Sequence, residues 1–213
     1  MNATANTRPS DIHIRVQLSN GSEDSFAQPD NIKAQAIWDN LDPARLFAQK
    51  RLIIAGTHSK SVFVTAEIVR MDFPEPAEWR WQFPEGFFDV VELSEAQFRK
   101  RAHLDEPELR PRREVRTTAG DPLVSFLKLL FRNGPPLFLM VELSVKLPVE
   151  NQSFVRFLLS KTPFCMRRPD GGISIVNLAG LTGYTAFPGV PQVPADAWLA
   201  EPEQAESPAL TSK

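Results

Sequence analysis

The stretch RVQLS at residues 15–19 recurs in altered form as MVELS at residues 140–144. In both copies apolar residues alternate with polar ones, which is typical of a strand that buries one face. The second copy belongs to a longer alternation in which every odd position from Leu137 to Leu147 is Leu or Val. The two copies therefore predict two strands at similar places in two halves of the chain.

Each of these strands is followed by a helix-like stretch and then by two apolar runs around a polar turn. The runs occupy residues 52–55 and 61–64 in the first half, and residues 164–167 and 173–176 in the second. Two short apolar runs around a turn predict a β-hairpin. A recurring order of elements favours an internal duplication. We therefore predict an α+β protein: two related small β-rich units (strand, helix, β-hairpin), joined and covered by central helices in a pseudo-two-fold arrangement.

Changes in composition divide the chain into five parts. They are a disordered N-terminus at residues 1–10, a first β-rich unit at 11–74, an aromatic- and Arg-rich helical joining segment at 75–134, a second β-rich unit at 135–190 and a flexible C-terminal tail at 191–213. The two termini are predicted to be unstructured because they contain few large apolar residues to bury.

Two helices are predicted in the joining segment. Ser94 and Gln97 form the pattern of a capping box, which begins a helix over residues 95–104. An Asp-Pro pair precedes residues 123–131, and an Asn-Gly pair follows them, which favours a second helix between these signals. Because residues 123–131 are apolar on nearly all sides, this helix would be buried over most of its surface.

The totals exclude several classes of function. The 213 residues carry a net charge of -2, which gives no bulk attraction to nucleic acid or to membranes. One cysteine and three widely spaced histidines form no metal-ligand pattern, and the glycines form no phosphate-binding loop. We predict no enzymatic activity, no metal and no cofactor, and we expect Cys165 to be a small buried thiol. Residues 1–11 lack an apolar signal region, which favours a cytoplasmic location.

The joining segment also offers a surface for a partner. Aromatic residues on a Pro-rich stretch are typical anchors of protein interfaces, and closely spaced arginines can bind carboxylates. The predicted partner-binding residues are Trp79, Trp81, Phe83, Phe87, Phe88, Arg110, Arg112, Arg113 and Arg116. They favour a non-catalytic interaction, assembly or regulatory module that binds a protein partner or a second copy of itself.

An alternative is a sensor that uses the arginines of residues 110–116. The sequence RREVR at residues 112–116 resembles the first half of the cyclic-dinucleotide motif of PilZ domains. Asn151 and Ser153 match the start of the second half, D/N-x-S-x-x-G, but Arg156 stands where that family has glycine. The resemblance implies a small ligand similar to a nucleotide or cyclic dinucleotide. A nucleic-acid sensor is the less favoured form, and its binding would weaken steeply with added salt.

Overall fold

The structure, a computed structural model, describes residues 11–74, 83, 86–104, 123–143, 158–159, 164–187 and 198. The described strands are β1 (Ile12–Leu18), β2 (Glu23–Gln28), β3 (Arg51–Ala55), β4 (Lys60–Val64), β5 (Ile68–Phe73), β6 (Phe87–Leu93), β7 (Leu123–Phe131), β8 (Leu137–Leu143), β9 (Phe164–Arg167), β10 (Ile173–Val176) and β11 (Leu181–Phe187). The helices are α1 (Asn31–Asn40), α2 (Pro43–Leu46) and α3 (Glu95–Arg101), and two 3-10 turns span Thr65–Glu67 and Leu178–Gly180.

Nine strands form one sheet in the order β11-β7-β8-β6-β9-β10-β5-β1-β2, and β3 pairs with β4 in a separate two-stranded sheet. Neighbouring strands are antiparallel except β6 and β9, which are parallel. The chain is thus a mixed α/β protein that is rich in sheet, in agreement with the predicted mixture of helices and strands. Among the described residues, no helix is long and apolar enough to cross a membrane.

One end of the large sheet is covered by α1, α2 and the β3–β4 hairpin. Met71 and Phe73 of β5 face this layer, and the ring of Trp38 on α1 lies 5.7 Å from the ring of Phe73. Asp30 caps α1 by accepting hydrogen bonds from two backbone N–H groups of its first turn. Asp42 caps α2 and Pro43 is its first residue, a position that suits the fixed φ of proline.

The other end of the sheet buries side chains on both faces. One face holds a cluster of aliphatic residues from β6, β7 and β8 together with Phe164 and Met166. The opposite face is covered by α3 through Phe98, whose ring lies 5.0 Å from the ring of Phe138. The predicted capping box starts α3: Ser94 Oγ accepts from the Gln97 N–H, and Gln97 Oε1 accepts from the Ser94 N–H.

The predicted helix over residues 123–131 is wrong, because these residues form strand β7. Leu127 and Leu129 point into one buried cluster, and Phe126 packs with Phe98 on the opposite face. β7 carries apolar residues on both faces: Leu127 and Leu129 are buried on one face, while Val124 and Leu130 on the other are each 40% exposed. Its sequence therefore lacks the alternation that identifies strands. The helical part of the joining segment that the structure describes is α3 alone.

Both predicted hairpins form, as β3–β4 and β9–β10. Each continues through a 3-10 turn into a strand that ends at a phenylalanine, β5 at Phe73 and β11 at Phe187. The hairpins differ in location, because β9–β10 lies inside the nine-stranded sheet and β3–β4 packs outside it. The pseudo-two-fold repeat is therefore not confirmed. The predicted disordered N-terminus and C-terminal tail lie outside the described residues, except for Trp198.

Candidate functional site

The structure describes three of the predicted partner-binding residues. Phe87 is 6% exposed and belongs to the core, and Phe83 is partly buried against the same cluster. Phe88, the next residue on β6, is 59% exposed and points away from that core. Trp79, Trp81 and the four arginines of residues 110–116 lie outside the described residues. The described aromatic side chain that a partner could contact here is Phe88.

A second apolar surface, which the sequence did not predict, lies on the β3–β4 hairpin. Its inner side chains, Leu52 and Phe63 among them, pack toward the core over β2. On its outer face Ile53 stands directly opposite Val62. Ile53, Val62 and Val64 are 53%, 48% and 55% exposed. Three neighbouring β-branched side chains in water are a sign of a contact surface. We call them the hairpin face.

The hairpin and the residues just before it in the chain carry charges of one sign. Residues 49–64 contain Lys50, Arg51 and Lys60 and no aspartate or glutamate. Arg51 and Lys60 lie on the outer face of the hairpin, at opposite ends of the apolar residues. The chain as a whole is slightly acidic, so this cationic rim is a local feature.

A groove of about 580 Å³ runs between the C-terminal half of α3 and strand β7. Its described lining residues are Gln97, Lys100, Arg101, His103 and Phe126. Gln97, Lys100 and Arg101 share one side of the helix, because residues three and four apart are neighbours on a helix surface. The groove therefore combines two fixed cations, an imidazole, an amide and an aromatic ring.

His103 has an unusual backbone conformation at the end of this groove. Its φ of 56° lies in the left-handed region, which costs an L-residue about 1 to 2 kcal/mol relative to glycine. The conformation is held by two hydrogen bonds that close the helix: the His103 N–H donates to the Lys100 carbonyl, and the Leu104 N–H donates to the Arg99 carbonyl. Glycine is the residue that this helix-ending motif usually contains.

The most polar buried site is a charge network on the face of the sheet opposite α1. Arg70 and Asp72 lie two residues apart on β5 and therefore share a face, and Ser174 stands directly opposite Asp72 on β10. Arg70 Nε donates to Asp72 Oδ1 at 2.8 Å, while Arg70 Nη1 and Nη2 donate to Glu92 on β6 at 2.8 and 3.0 Å. Asp72 also accepts from Ser174 Oγ at 2.6 Å and from Arg168 Nη1 at 2.5 Å.

Each arginine of the network is paired with carboxylates. Burial acts to lower the pKa of Arg70, but the hydrogen bonds to Glu92 and the charge of Asp72 outweigh it and raise that pKa above its ordinary value. Arg168, whose other nitrogens bind Asp170, is held in the same way. These hydrogen bonds join strands β5, β6 and β10 and hold the charged side chains in place.

Cys165, which the sequence predicts to be a small buried thiol, lies among apolar residues on the α1 side of the sheet and is partly buried. Burial raises the pKa of its thiol to about 12. Because the folded-state pKa lies above that of the unfolded chain, this group stabilises the fold below its unfolded pKa, and the contribution disappears as the pH rises toward 12. No group of histidine, cysteine and acidic side chains among the described residues could hold a metal ion.

We expect Cys165 to react with iodoacetamide at pH 8 at least about tenfold more slowly in the folded protein than in the unfolded chain, because the thiolate is the reactive form. The measurement is the rate of carbamidomethylation followed by mass spectrometry, with and without denaturant. Equal rates in both states would show that the thiol is exposed to solvent.

Comparison with protein families, characterised proteins and solved structures finds no match to this chain.

Proposed function

We propose that this protein is a non-catalytic interaction module that binds a protein partner through the hairpin face. The observation that supports it most directly is the joint exposure of Ile53, Val62 and Val64 on a hairpin that packs against the large sheet only through its other side. Covering these side chains would remove apolar surface from water, which is the main favourable term in protein association. The module acts in the cytoplasm, as the sequence predicts.

The chemistry of the rim indicates an acidic partner. Lys50, Arg51 and Lys60 are exposed around the hairpin face, and residues 49–64 supply no carboxylate to neutralise them. A partner with an apolar centre bordered by aspartate and glutamate would match both the shape and the charge of this surface, and opposite charges would also accelerate its association.

Self-association through the same face is disfavoured. In a two-fold symmetric dimer each patch meets its own copy. Arg51 and Lys60 of one chain would then approach the same cations of the other chain, and like charges brought together across an interface cost on the order of several kcal/mol. The partner is therefore a different protein.

Two finer predictions from the sequence complete the proposal. Phe88, with Trp79, Trp81 and the arginines of residues 110–116, provides a second contact region for the partner. The two β-rich units are related by duplication, which the shared order of hairpin, 3-10 turn and strand supports. Under this proposal the first unit has moved its hairpin out of the large sheet and uses it for binding.

The test is site-specific photo-crosslinking in the cells that make the protein. A photoreactive benzoylphenylalanine replaces Val62 in one variant and Val124, a valine of similar exposure on β7, in a control variant. We expect an adduct from position 62 and none from position 124, with the crosslinked partner peptide rich in aspartate and glutamate. Reversing the rim charges with Arg51→Glu and Lys60→Glu should reduce this adduct at least about tenfold, because rim charges mainly set association rates.

Three results would contradict the proposal. They are equal crosslinking from positions 62 and 124, adducts made only of two copies of this chain, and an adduct that the charge reversals leave unchanged. Circular dichroism of each variant establishes that the fold is retained before crosslinking is compared.

A further inference from the structure

We infer that the groove beside α3 binds a small organic anion that carries a planar ring, of the size and chemistry of a nucleoside monophosphate. This site is separate from the hairpin face, and the inference does not depend on the proposed protein partner. It is supported by the volume of the groove, by the charge of its lining and by the conformation of His103.

The volume of the groove suits a small ligand. About 580 Å³ lies within the range of small-molecule sites, roughly 300 to 1,000 Å³. The floor is Phe126 on β7, which is held in place by an edge-to-face contact with Phe98, their ring centroids 6.0 Å apart. A planar ring can stack on such a floor, since aromatic surfaces bind ring systems of many kinds.

The wall of the groove is cationic. The described lining residues include one lysine and one arginine, Lys100 and Arg101, and no carboxylate. Arg101 Nη1 lies 3.3 Å from the sulfur of Met140, so the guanidinium rests against the sheet beside the groove. Lys128, two residues beyond Phe126 on β7, adds a further cation on the same face of the sheet. Phosphate is the common biological anion that lysine and arginine bind together.

Gln97 and His103 provide an amide and an imidazole that can form hydrogen bonds. The Gln97 side-chain oxygen accepts from the Ser94 N–H in the capping box, which fixes the amide and leaves its NH₂ group outside the capping box. His103 stands where a helix-ending motif usually has glycine, and a side chain kept in a strained backbone conformation is a reason to look for a function. Because His103 lines the groove, contact with a bound ligand would be that function.

The experiment is an NMR titration of the ¹⁵N-labelled full-length chain with three probes: adenosine 5′-monophosphate, adenosine and inorganic phosphate. We expect the monophosphate to shift the amide signals of α3 and β7 with a dissociation constant below about 1 mM. Adenosine, which lacks the charge, and phosphate, which lacks the ring, should each bind at least about tenfold more weakly, because each lacks one of the two kinds of contact.

Variants separate this site from general attraction to positive charge. Lys100→Ala combined with Arg101→Ala should weaken binding of the monophosphate at least about tenfold, because each removes a charge-assisted hydrogen bond. The matched control is Arg99→Ala, which removes an exposed cation of the same helix that does not line the groove. His103→Gly should weaken binding and at the same time raise the midpoint of thermal unfolding by about 2 to 4 °C, since glycine relieves the backbone strain.

The inference is overturned if the monophosphate shifts no signals of α3 or β7, or if Arg99→Ala weakens binding as much as the double variant does. It is also overturned if an oligonucleotide of eight thymidines binds more tightly than the monophosphate and loses affinity equally in all of these variants. That result would indicate an extended strand-binding surface in place of a small-ligand site.

Discussion

Replacing Arg70 with methionine is expected to lower the free energy of unfolding by about 3 to 5 kcal/mol, because removing one partner of a buried ion pair leaves the other charge uncompensated. Glu92 would lose both of its hydrogen bonds from the guanidinium, and Asp72 would lose one of three. The loss is large beside the 5 to 15 kcal/mol that typically stabilises a folded protein. Urea denaturation followed by circular dichroism measures it as a fall in the transition midpoint.

Two further variants show that geometry and burial produce the effect. Arg70→Lys keeps the charge but not the planar fork that bonds Glu92 through two nitrogens, so we expect an intermediate loss of stability. Arg45→Met removes an ion pair with Asp42 whose side chains are 88% and 48% exposed, and it should change stability by less than about 0.5 kcal/mol. If Arg70→Met were as mild as Arg45→Met, the carboxylates of Asp72 and Glu92 would have to be reached by water.

The elements that could be predicted from the sequence are those specified by local signals. Strand β1 alternates buried and exposed residues, as its sequence does. The β9–β10 hairpin turns at the Asp170-Gly171 pair, and Gly171 has the positive φ of 87° that such a turn requires. Helix α3 starts at its capping box. Each signal involves residues only a few positions apart, so no knowledge of the rest of the fold is needed.

Strand β7 shows why other elements could not be predicted. β7 lies between β8 and β11 and carries apolar residues on both faces. Such a run of consecutive apolar residues resembles the sequence of a buried helix. Only the partner strands distinguish the two structures, and those partners are fixed by the topology. The Asp-Pro and Asn-Gly pairs around this segment are turn signals that serve a strand as well as a helix.

Neither the charge network nor the α3 groove carries a local signal. Asp72 and Ser174 are 102 residues apart in the chain and meet because β5 pairs with β10. The groove lies between α3 and β7. Because residues 123–131 were predicted to form a helix, nothing in the sequence indicated that Phe126 lies beside α3. The end of α3 could not be located from the sequence, because His103 occupies the position where glycine usually ends a helix. The hairpin face has no local signal either, because the exposure of Ile53, Val62 and Val64 depends on the packing of β3–β4 outside the large sheet.

Replacing Gly172 with alanine is expected to destabilise the protein by about 3 kcal/mol or more, at the upper end of what an added methyl group costs in a tightly packed site. A Cβ atom at Gly172 would lie 2.2 Å from the carbonyl oxygen of Phe73 and 2.8 Å from backbone atoms of Pro74. Because these neighbours are backbone atoms, no change of rotamer can relieve the clash. The start of β10 would have to separate from the end of β5, where Ile173 pairs with Phe73.

Gly180→Ala is the matched control, because the nearest atom to a Cβ there is a side-chain carbon of Phe131 at 3.8 Å, an ordinary contact. This substitution should be neutral or should stabilise the protein by up to about 1 kcal/mol, since alanine restricts the unfolded chain. Both variants are compared with the natural protein by urea denaturation. Separation of β10 from β5 would also pull Ser174 away from Asp72, so the charge network and the strand pairing should be lost in a single cooperative step. Equal midpoints for the two variants would mean that β10 can move away from β5 at little cost, and that the network does not hold these strands together.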